Sequence, residues 1–456
     1  MSGVSMRDDL EVLVIGGGLA GLATARELQS RGVAVEVLEA RERLGGRLHT
    51  RRLGAAELDV GGQWLGPGQH RAYALAKRLG LRTFPTFTTG TKVLEIDGRR
   101  RTYTGSIPTL SPLGLLQLQG LLLAIEGPRR LVDPVCPERA PFARRLDRLS
   151  VETLRRRLGA GAEVRGTMDA ALRAIFGAEA ESLTALHFLA YLNAGGGLLQ
   201  LAEAKGGAQQ DRLVEGAQAL CEGLAGDRLG EPLRVRLGAV VESIDQDAEG
   251  VRVRGSFGEV RARRVVVAVP PPLWPKLGFT PALPGARSDA VGRWTMGEAI
   301  KVIVLYPRAF WREAGLSGEI VSADGPLSVV YDDCSLDGRQ AALVGFVSGR
   351  DARALKAHPE AEWAGAVVDH LARTLGPAAR EGAQVVFQDW TAEPFSGGCP
   401  VAIAGPGALT GDASWDAALR APHGRVHFAG TETAREHVGY MEGALESAER
   451  VVAEFS

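Results

Sequence analysis

The stretch Val12-Leu13-Val14-Ile15-Gly16-Gly17-Gly18-Leu19-Ala20-Gly21 decides how this chain reads. An apolar run enters a glycine turn, a helix-compatible segment follows, and a second apolar run from Val33 to Leu38 ends on Glu39. The order is strand, turn, helix, strand, acid. Gly16 permits the tight turn, Gly18 lets the backbone approach a pyrophosphate, and Gly21 lets the helix pack on the strand. A pyrophosphate would sit at the helix N-terminus, where unpaired N–H groups and the dipole favour negative charge. Glu39 falls about 20 residues beyond the turn, where an acid accepts the ribose 2′-OH. A glycine turn alone also fits an ordinary βαβ unit that binds nothing. The strand before, the helix after and the terminal acid argue for a dinucleotide.

The bulk numbers set the frame. With 456 residues, the chain suggests two or three domains and buries about 75% of its extended surface. Apolar residues make up 45% and charged residues 23%, as in an ordinary globular protein. The formal net charge is −1, with 53 basic against 54 acidic side chains. No overall field steers the protein to nucleic acid or to an anionic membrane. The local basic runs Arg99-Arg100-Arg101 and Arg155-Arg156-Arg157 read as solvated helix or turn faces. Cys136, Cys221, Cys334 and Cys399 are scattered, with no CxxC pair, so neither a redox dithiol nor a zinc site is expected. The polar, partly acidic Met1 to Leu10 is not a secretory signal. The longest apolar run, Leu113 to Ile125, is interrupted by Gln and Gly and reads as a buried or pocket-lining helix rather than a membrane span. A soluble, cytoplasmic protein is expected.

Three segments read as one discontinuous nucleotide-binding domain: residues 1–80, 210–290 and 395–456. The second carries strand-like runs at Val240 to Ile244, Val251 to Arg254 and Val265 to Val269. Pro270-Pro271-Pro272 ends the last of these, because proline cannot donate to a ladder. The third carries the strand Val426 to Phe428, a turn at Gly430 to Thr433 and a helix from about Gly439 to Glu454. Residues 81–209 read as mainly helical. Residues 291–394 mix strands, at Ala299 to Leu305 and Ala341 to Val347, with a helix from about Pro359 to Leu375. These two stretches form the second domain, and a ligand site is expected at the seam.

Further motifs separate a flavin protein from a generic NAD protein. The opening continues as Glu39-Ala-Arg-Glu-Arg-Leu-Gly45-Gly46-Arg47 and is followed by Gly61-Gly62-Gln63-Trp64-Leu65-Gly66-Pro67. Then come Met296-Gly-Glu-Ala-Ile-Lys301 and Glu393-Pro-Phe-Ser-Gly-Gly-Cys399. The last is Phe428-Ala-Gly-Thr-Glu-Thr433 through Gly439-Tyr440-Met441-Glu442-Gly443. With these motifs in this order over nearly its whole length, the chain resembles the flavin-containing amine oxidases: monoamine oxidases, polyamine oxidases and L-amino-acid oxidases. The resemblance implies an α/β fold with a Rossmann-type FAD domain and an inserted mixed sheet-and-helix substrate domain.

The resemblance also assigns residues. Gly16, Gly18, Gly21 and Glu39 would hold the adenosine diphosphate half of FAD, and Arg41, Gly46 and Arg47 would work around the phosphates and the flavin. Gly61, Gly62, Gln63 and Trp64 would pass close to the flavin, and Val241 would meet the adenine through its main chain. Gly430, Glu432 and Met441 would border the ribityl-phosphate region, and Trp390 would lie beside the flavin. Lys301 sits within an apolar strand-like run, so it is either at a solvated edge or buried for a purpose; the resemblance matches it to a lysine that holds a water near flavin N5. Burial lowers a lysine pKa. Tyr440 matches one of two aromatic residues caging the amine before the flavin, where a ring face meets an amine dipole or ammonium. Pro400 stands where monoamine oxidases carry the second. Cys399 matches the residue that attaches flavin through sulfur, which favours a thioether over a free thiol. Pro400 admits a cis Cys399–Pro400 bond at about 0.5–1 kcal/mol. Alignment places Ala171, Ala174, Ile175, Leu201, Ala202, Gln209 and Gln340 around the substrate pocket, while Phe176 and His187 read as core.

The implied reaction is oxidative deamination of a primary, arylalkyl-type amine. A hydride equivalent passes to FAD, water hydrolyses the imine to aldehyde and ammonia, and O2 reoxidises the flavin to give hydrogen peroxide. No metal, nucleic acid or membrane partner is expected, and a homodimer stays open. An L-amino-acid oxidase would need an arginine for the substrate carboxylate. A polyamine or diamine oxidase would need an acidic pocket, for which Asp332 and Asp333 are candidates, though a surface turn suits them better. A flavin-binding protein without turnover would need neither Lys301, Tyr440 nor the Cys399 motif, and a desaturase-like flavoprotein would lack the later motifs.

Overall fold

The computed structural model describes residues 10–54, 56–411 and 414–455. Apart from Leu10, the N-terminal segment read above as non-secretory lies outside them. Five parallel strands form one sheet in the order Arg234–Arg236, Val35–Leu38, Val12–Ile15, Arg264–Val267, Val426–Phe428. Val12–Ile15 and Val35–Leu38 are buried along their whole length. A parallel sheet is covered on both faces, so its strands read as continuous apolar runs rather than as an alternation. Helix Leu19–Ser30 packs against the helices Ala219–Ala225 and Met441–Ala453. Gly21 lets the first turn of this helix close on the glycine turn, since a Cβ there would lie 2.0 Å from the Gly16 carbonyl oxygen and 3.2 Å from Ala268. A four-stranded sheet in the order Gly258–Ala262, Val251–Gly255, Val241–Gln246, Gly278–Thr280 adjoins it.

A seven-stranded sheet carries the other half of the molecule. Its order is Gln384–Asp389, Ala299–Tyr306, Ala341–Ser348, Val329–Asp332, Leu316–Ser322, Thr91–Ile96, Arg99–Tyr103. Pairing is antiparallel except where Leu316–Ser322 meets Thr91–Ile96. Lys301 lies opposite Phe346 on one side and Gln388 on the other, so it is on an interior strand and not at a solvated edge. Helix Ala162–Phe176 packs on this sheet.

Several expectations need correction. Residues 81–209 begin not with helix but with three strands, Thr83–Pro85, Thr91–Ile96 and Arg99–Tyr103. The last two form a hairpin whose turn, Asp97-Gly98, has positive φ at both residues, the backbone twist that two-residue hairpin loops require. Arg99-Arg100-Arg101 therefore lies on a strand, and Arg101 pairs with Glu163. Arg155 is not solvated: it is buried between Glu152 and Asp169, 2.7 Å from the latter. Helix Pro112–Arg129 starts at a Ser111 side-chain cap on the Gly114 N–H with Pro112 in the first turn. It is only half covered: Leu121 and Ile125 are buried, whereas Leu113, Leu116 and Leu123 are exposed. No described helix is long and apolar enough to cross a membrane.

The glycine turn gives a direct test. Gly21→Ala is expected to lower the melting temperature and the FAD content of the purified protein, by roughly 1–3 kcal/mol of stability, because the new methyl overlaps backbone. Gly120→Ala, in an exposed helical position with nothing within 4 Å, is expected to stabilise by about 0.5–1 kcal/mol. Equal melting temperatures for the two variants contradict the packing assigned to Gly21.

Candidate active site

A cavity of about 720 Å³ begins at the carboxyl ends of the central parallel strands and continues to helix Pro112–Arg129, where Leu118 and Leu122 line it. In open parallel sheets the ends of the strands are where ligands bind. Helix Leu19–Ser30 starts here with no side-chain cap and no acid in its first turn, so its first N–H groups remain available to an anion. Gly16 and Gly18 line this end, and the nearest atoms to a Cβ built on Gly18 are 3.9 Å away. Gly21 does not line the cavity; it serves helix packing.

Glu39 is buried at the same end. Its carboxylate accepts the Gly17 N–H at 2.7 Å and the Arg41 N–H at 2.9 Å. Arg41 reaches Glu393 at 3.0 Å and the Ser396 hydroxyl at 2.7 Å. Arg47 donates to both carboxylate oxygens of Glu432, at 2.6 and 2.9 Å, and to the Pro400 carbonyl at 2.8 Å. Glu432 is almost wholly buried and does not line the cavity. Its structural place is behind Arg47, which its charge keeps protonated against the cost of burial. Gly46, Gly61, Gly62, Trp64, Val241, Gly430 and Met441 all border the cavity. An uncapped helix start, an open glycine backbone, a buried acid and two fixed guanidinium groups fit FAD.

Gln63 contributes its side chain. Its amide oxygen accepts from Lys301 Nζ, and its amide nitrogen donates to Asp333 Oδ1 at 2.8 Å. Lys301 Nζ also donates to the Gly61 carbonyl at 2.7 Å and lies 5.3 Å from the Trp64 ring centroid. Arg212 pairs with Asp333 at 3.0 Å. The lysine is 3% exposed. Burial pushes its pKa down to about 8, opposed by the charges of Asp333 and Asp59. The neutral amide between Lys301 and Asp333 keeps the ammonium from forming a direct ion pair.

Tyr440 lines the cavity at the start of helix Met441–Ala453. Its backbone is fixed by the Thr431 hydroxyl, which donates to the Tyr440 carbonyl at 2.9 Å. Burial raises its hydroxyl pKa, so the phenol stays neutral. Trp390 is buried, with its indole N–H on the Val60 carbonyl at 2.9 Å. Cys399 also lines the cavity, and burial pushes its thiol up to about 11, against the pull of Arg47 and Lys301. The Cys399–Pro400 bond is cis.

Of the residues assigned to the substrate pocket, Ala171, Ala174, Ile175, Leu201, Ala202, Gln209 and Pro400 line the cavity. Gln340 does not. It closes a polar turn with Ser335, whose hydroxyl accepts the Gln340 N–H at 3.0 Å. Asp332 and Asp333 are both buried rather than in a surface turn; Asp332 pairs with Arg312 at 2.7 Å, and neither borders the cavity. Phe176 and His187 are core.

Sequence reasoning missed Tyr103, Tyr191, Glu203, Glu319, Tyr331 and Phe346, all of which line the cavity. Tyr331 stands edge-on to Trp64 with ring centroids 5.4 Å apart, and Phe346 lies 5.9 Å from the same ring. A signal was present in strand Val329–Asp332, where Val329 and Tyr331 both face inward with a period of two. Among the described residues no cluster of His, Cys, Asp or Glu is arranged to hold a metal ion.

Comparison with known proteins agrees with this geometry. The family described as flavin containing amine oxidoreductase matches residues 19–455. The chain is 36% identical over 449 residues to the Dictyostelium discoideum protein named "Probable flavin-containing monoamine oxidase A", covering 97% of each. It is 33% identical to flavin-containing amine oxidase B of Sus scrofa, covering 98% of this chain and 86% of that one. Among solved structures, cyclohexylamine oxidase from Brevibacterium oxydans IH-35A superposes with a TM-score of 0.92 at 29% identity, over 98% of each chain. Putrescine oxidase bound to putrescine superposes with a TM-score of 0.90 at 29% identity, also over 98% of each. The uncapped glycine turn, the buried acid and the strand lysine thus belong to a family fold, and the chain is a member of the flavin-containing amine oxidases, an FAD-dependent amine oxidoreductase.

Proposed function

We propose that the protein deaminates a primary arylalkylamine to the aldehyde, ammonia and hydrogen peroxide, with O2 as the terminal acceptor. The observation that carries this reading is the placement of Lys301 on the wall of a cavity that Trp64, Tyr331, Phe346 and Tyr440 also line. When bound, FAD supplies the two-electron oxidising chemistry. Gly16, Gly18, Glu39, Arg41 and Arg47 would hold it, with Trp390 and Gln63 beyond them.

The chain's own residues supply orientation and proton control. The aromatic walls exclude water from the amine and give its carbon skeleton an apolar surface. Tyr440, neutral at physiological pH, borders the same cavity, where an aromatic ring suits an amine dipole or ammonium. Burial lowers the Lys301 ammonium pKa to about 8, so Nζ can exchange a proton near physiological pH. That position suits a group that orients a water for imine hydrolysis and hands a proton to reduced oxygen. The substrate end lacks the arginine an L-amino-acid oxidase needs: Arg41 and Arg47 are the only arginines among the described lining residues, and both are committed to acids. Cys399 borders the same cavity, and we place the flavin attachment there, through sulfur.

Three outcomes follow. Tyramine or phenethylamine should bleach the holoprotein's flavin anaerobically and release peroxide in air, while phenylalanine should be at least about 100-fold slower, a difference of roughly 2.7 kcal/mol in transition-state binding. The reverse preference makes the protein an amino-acid oxidase.

Lys301→Met should lower kcat by roughly 100-fold and abolish an inflection near pH 8 in the pH–rate profile. Gln63→Glu puts a carboxylate beside the ammonium, favours the charged form and should move that inflection upward by roughly 1–3 pH units. A profile unchanged in both variants removes Lys301 from the proton chemistry.

Acid precipitation should leave yellow colour in the pellet of the wild-type protein and release it from Cys399→Ala. Release from both disproves the thioether.

A further inference from the structure

Lys301 has one more N–H than the protein uses. A protonated lysine carries three donors. One goes to the Gly61 carbonyl and one to the Gln63 amide oxygen, and no other acceptor among the described residues meets it. Lys301 and Gln63 line the cavity, whereas the two charged residues behind Gln63 do not. Asp333 follows strand Val329–Asp332, and Arg212 lies on strand Asp211–Leu213; both are buried. Neither borders the space that substrate or cofactor occupies, so their charges call for another purpose.

Donors and acceptors can follow one another here in one order only. An ammonium only donates, and an ionised carboxylate only accepts. An amide between them satisfies both with its oxygen toward Lys301 and its nitrogen toward Asp333, and Gln63 stands that way, with Nε2 2.8 Å from Asp333 Oδ1. Asp333 is held in turn: its N–H donates to the Ala342 carbonyl at 2.8 Å, and Arg212 reaches its Oδ1 at 3.0 Å. Arg212 is fixed independently of that carboxylate. It donates to the Cys334 carbonyl at 2.9 Å and lies 5.0 Å from the Phe84 ring centroid. Arg212 is also the strand partner of Trp64. The series Arg212, Asp333, Gln63, Lys301 therefore starts and ends on the segment Gly61 to Trp64.

The other groups around the ammonium do not share this connection. Asp333, Asp59, Arg212 and Cys399 are the titratable groups whose charges act on it. Asp59 already accepts the Thr50 hydroxyl at 2.6 Å and the Ala217 N–H at 3.0 Å, so it acts on Lys301 only through space. Cys399 lines the cavity and makes no hydrogen bond to the lysine among the described residues. Trp64 and Phe346 offer rings at 5.3 and 5.9 Å. Of the two acids, Asp333 alone reaches Lys301 by hydrogen bonds, through Gln63.

We propose that Asp333 and Arg212 are positioning residues for Lys301: by fixing which end of the Gln63 amide faces the lysine, they fix the ammonium and the direction of its remaining N–H. The proposal rests on the reading of Lys301 as the group that handles protons, and it adds two residues that lie outside the cavity. Without the Asp333 carboxylate the amide has no reason to prefer one orientation. Turned over, it sets its own N–H against the ammonium, donor against donor, and favours the neutral amine.

The test uses the holoenzyme with phenethylamine and two readouts: steady-state turnover, and the titration midpoint of Lys301 followed by carbon-13 at lysine Cε. Asp333→Asn should lower kcat by about 10-fold with KM within about twofold, and should move the midpoint down by roughly 1 pH unit. Arg212→Met leaves the carboxylate uncompensated and should move the midpoint up by a similar amount, a change of opposite sign that general damage to the fold does not produce. Gln63→Met interrupts the contacts, and in that background Asp333→Asn should lower kcat by less than about twofold. A double variant about 10-fold slower than Gln63→Met overturns the proposal, because the effects then multiply instead of saturating. A midpoint that Asp333→Asn leaves in place also overturns it. Arg212→Met carries the test if Asp333→Asn does not fold, and a midpoint that stays or falls there is the contradicting result. If Lys301→Met keeps the wild-type kcat and pH profile, the proton role of Lys301 fails, and it fails separately, since the midpoint shifts are read without turnover.

Discussion

The structure depends on burying one lysine in the interior of a sheet. Lys301 lies on a strand flanked on both sides, where an unpaired ammonium would be costly. The Gly61 carbonyl, the Gln63 amide and two aromatic faces meet it there. These contacts fasten the segment Gly61 to Trp64 to the seven-stranded sheet, while the glycine turn and Arg47 belong with the parallel sheet. The cavity lies along that junction. Its lysine is held by neutral dipoles, with its nearest carboxylate one amide away, so its pKa falls instead of rising as in an ion pair.

The same economy appears at the nucleotide end. Arg41 and Arg47 are anchored by Glu393 and Glu432. Ion pairs of this kind restrict the side-chain geometry of the two guanidinium groups. Glu432 exemplifies a residue whose motif is plain but whose role is indirect: it holds Arg47 and never reaches the cavity wall.

Much of the fold was legible because its signals are local. The parallel strands read as buried apolar runs, and the glycine spacing marked the turn between the first strand and its helix. What the sequence hid is mostly non-local. The exception is the hairpin of Thr91–Ile96 and Arg99–Tyr103, whose Asp97-Gly98 turn is a local signal masked by the basic run Arg99-Arg100-Arg101. Arg155 sits in a run of three arginines that suggests solvent, yet Glu152 and Asp169 enclose it. Gln340 aligned with a pocket position but closes a turn with Ser335. Tyr103, Tyr331, Glu203 and Glu319 come from separate elements, and no spacing rule connects side chains that meet only across a sheet.

The lysine itself offers the most direct test. Holoprotein carrying carbon-13 at lysine Cε, with the Lys301 signal assigned by its loss in Lys301→Met, can be titrated by NMR. The account predicts a midpoint near pH 8, well below the ordinary value of 10.5. A midpoint at or above that ordinary value would mean a solvated or ion-paired ammonium, and the buried-lysine account would be wrong.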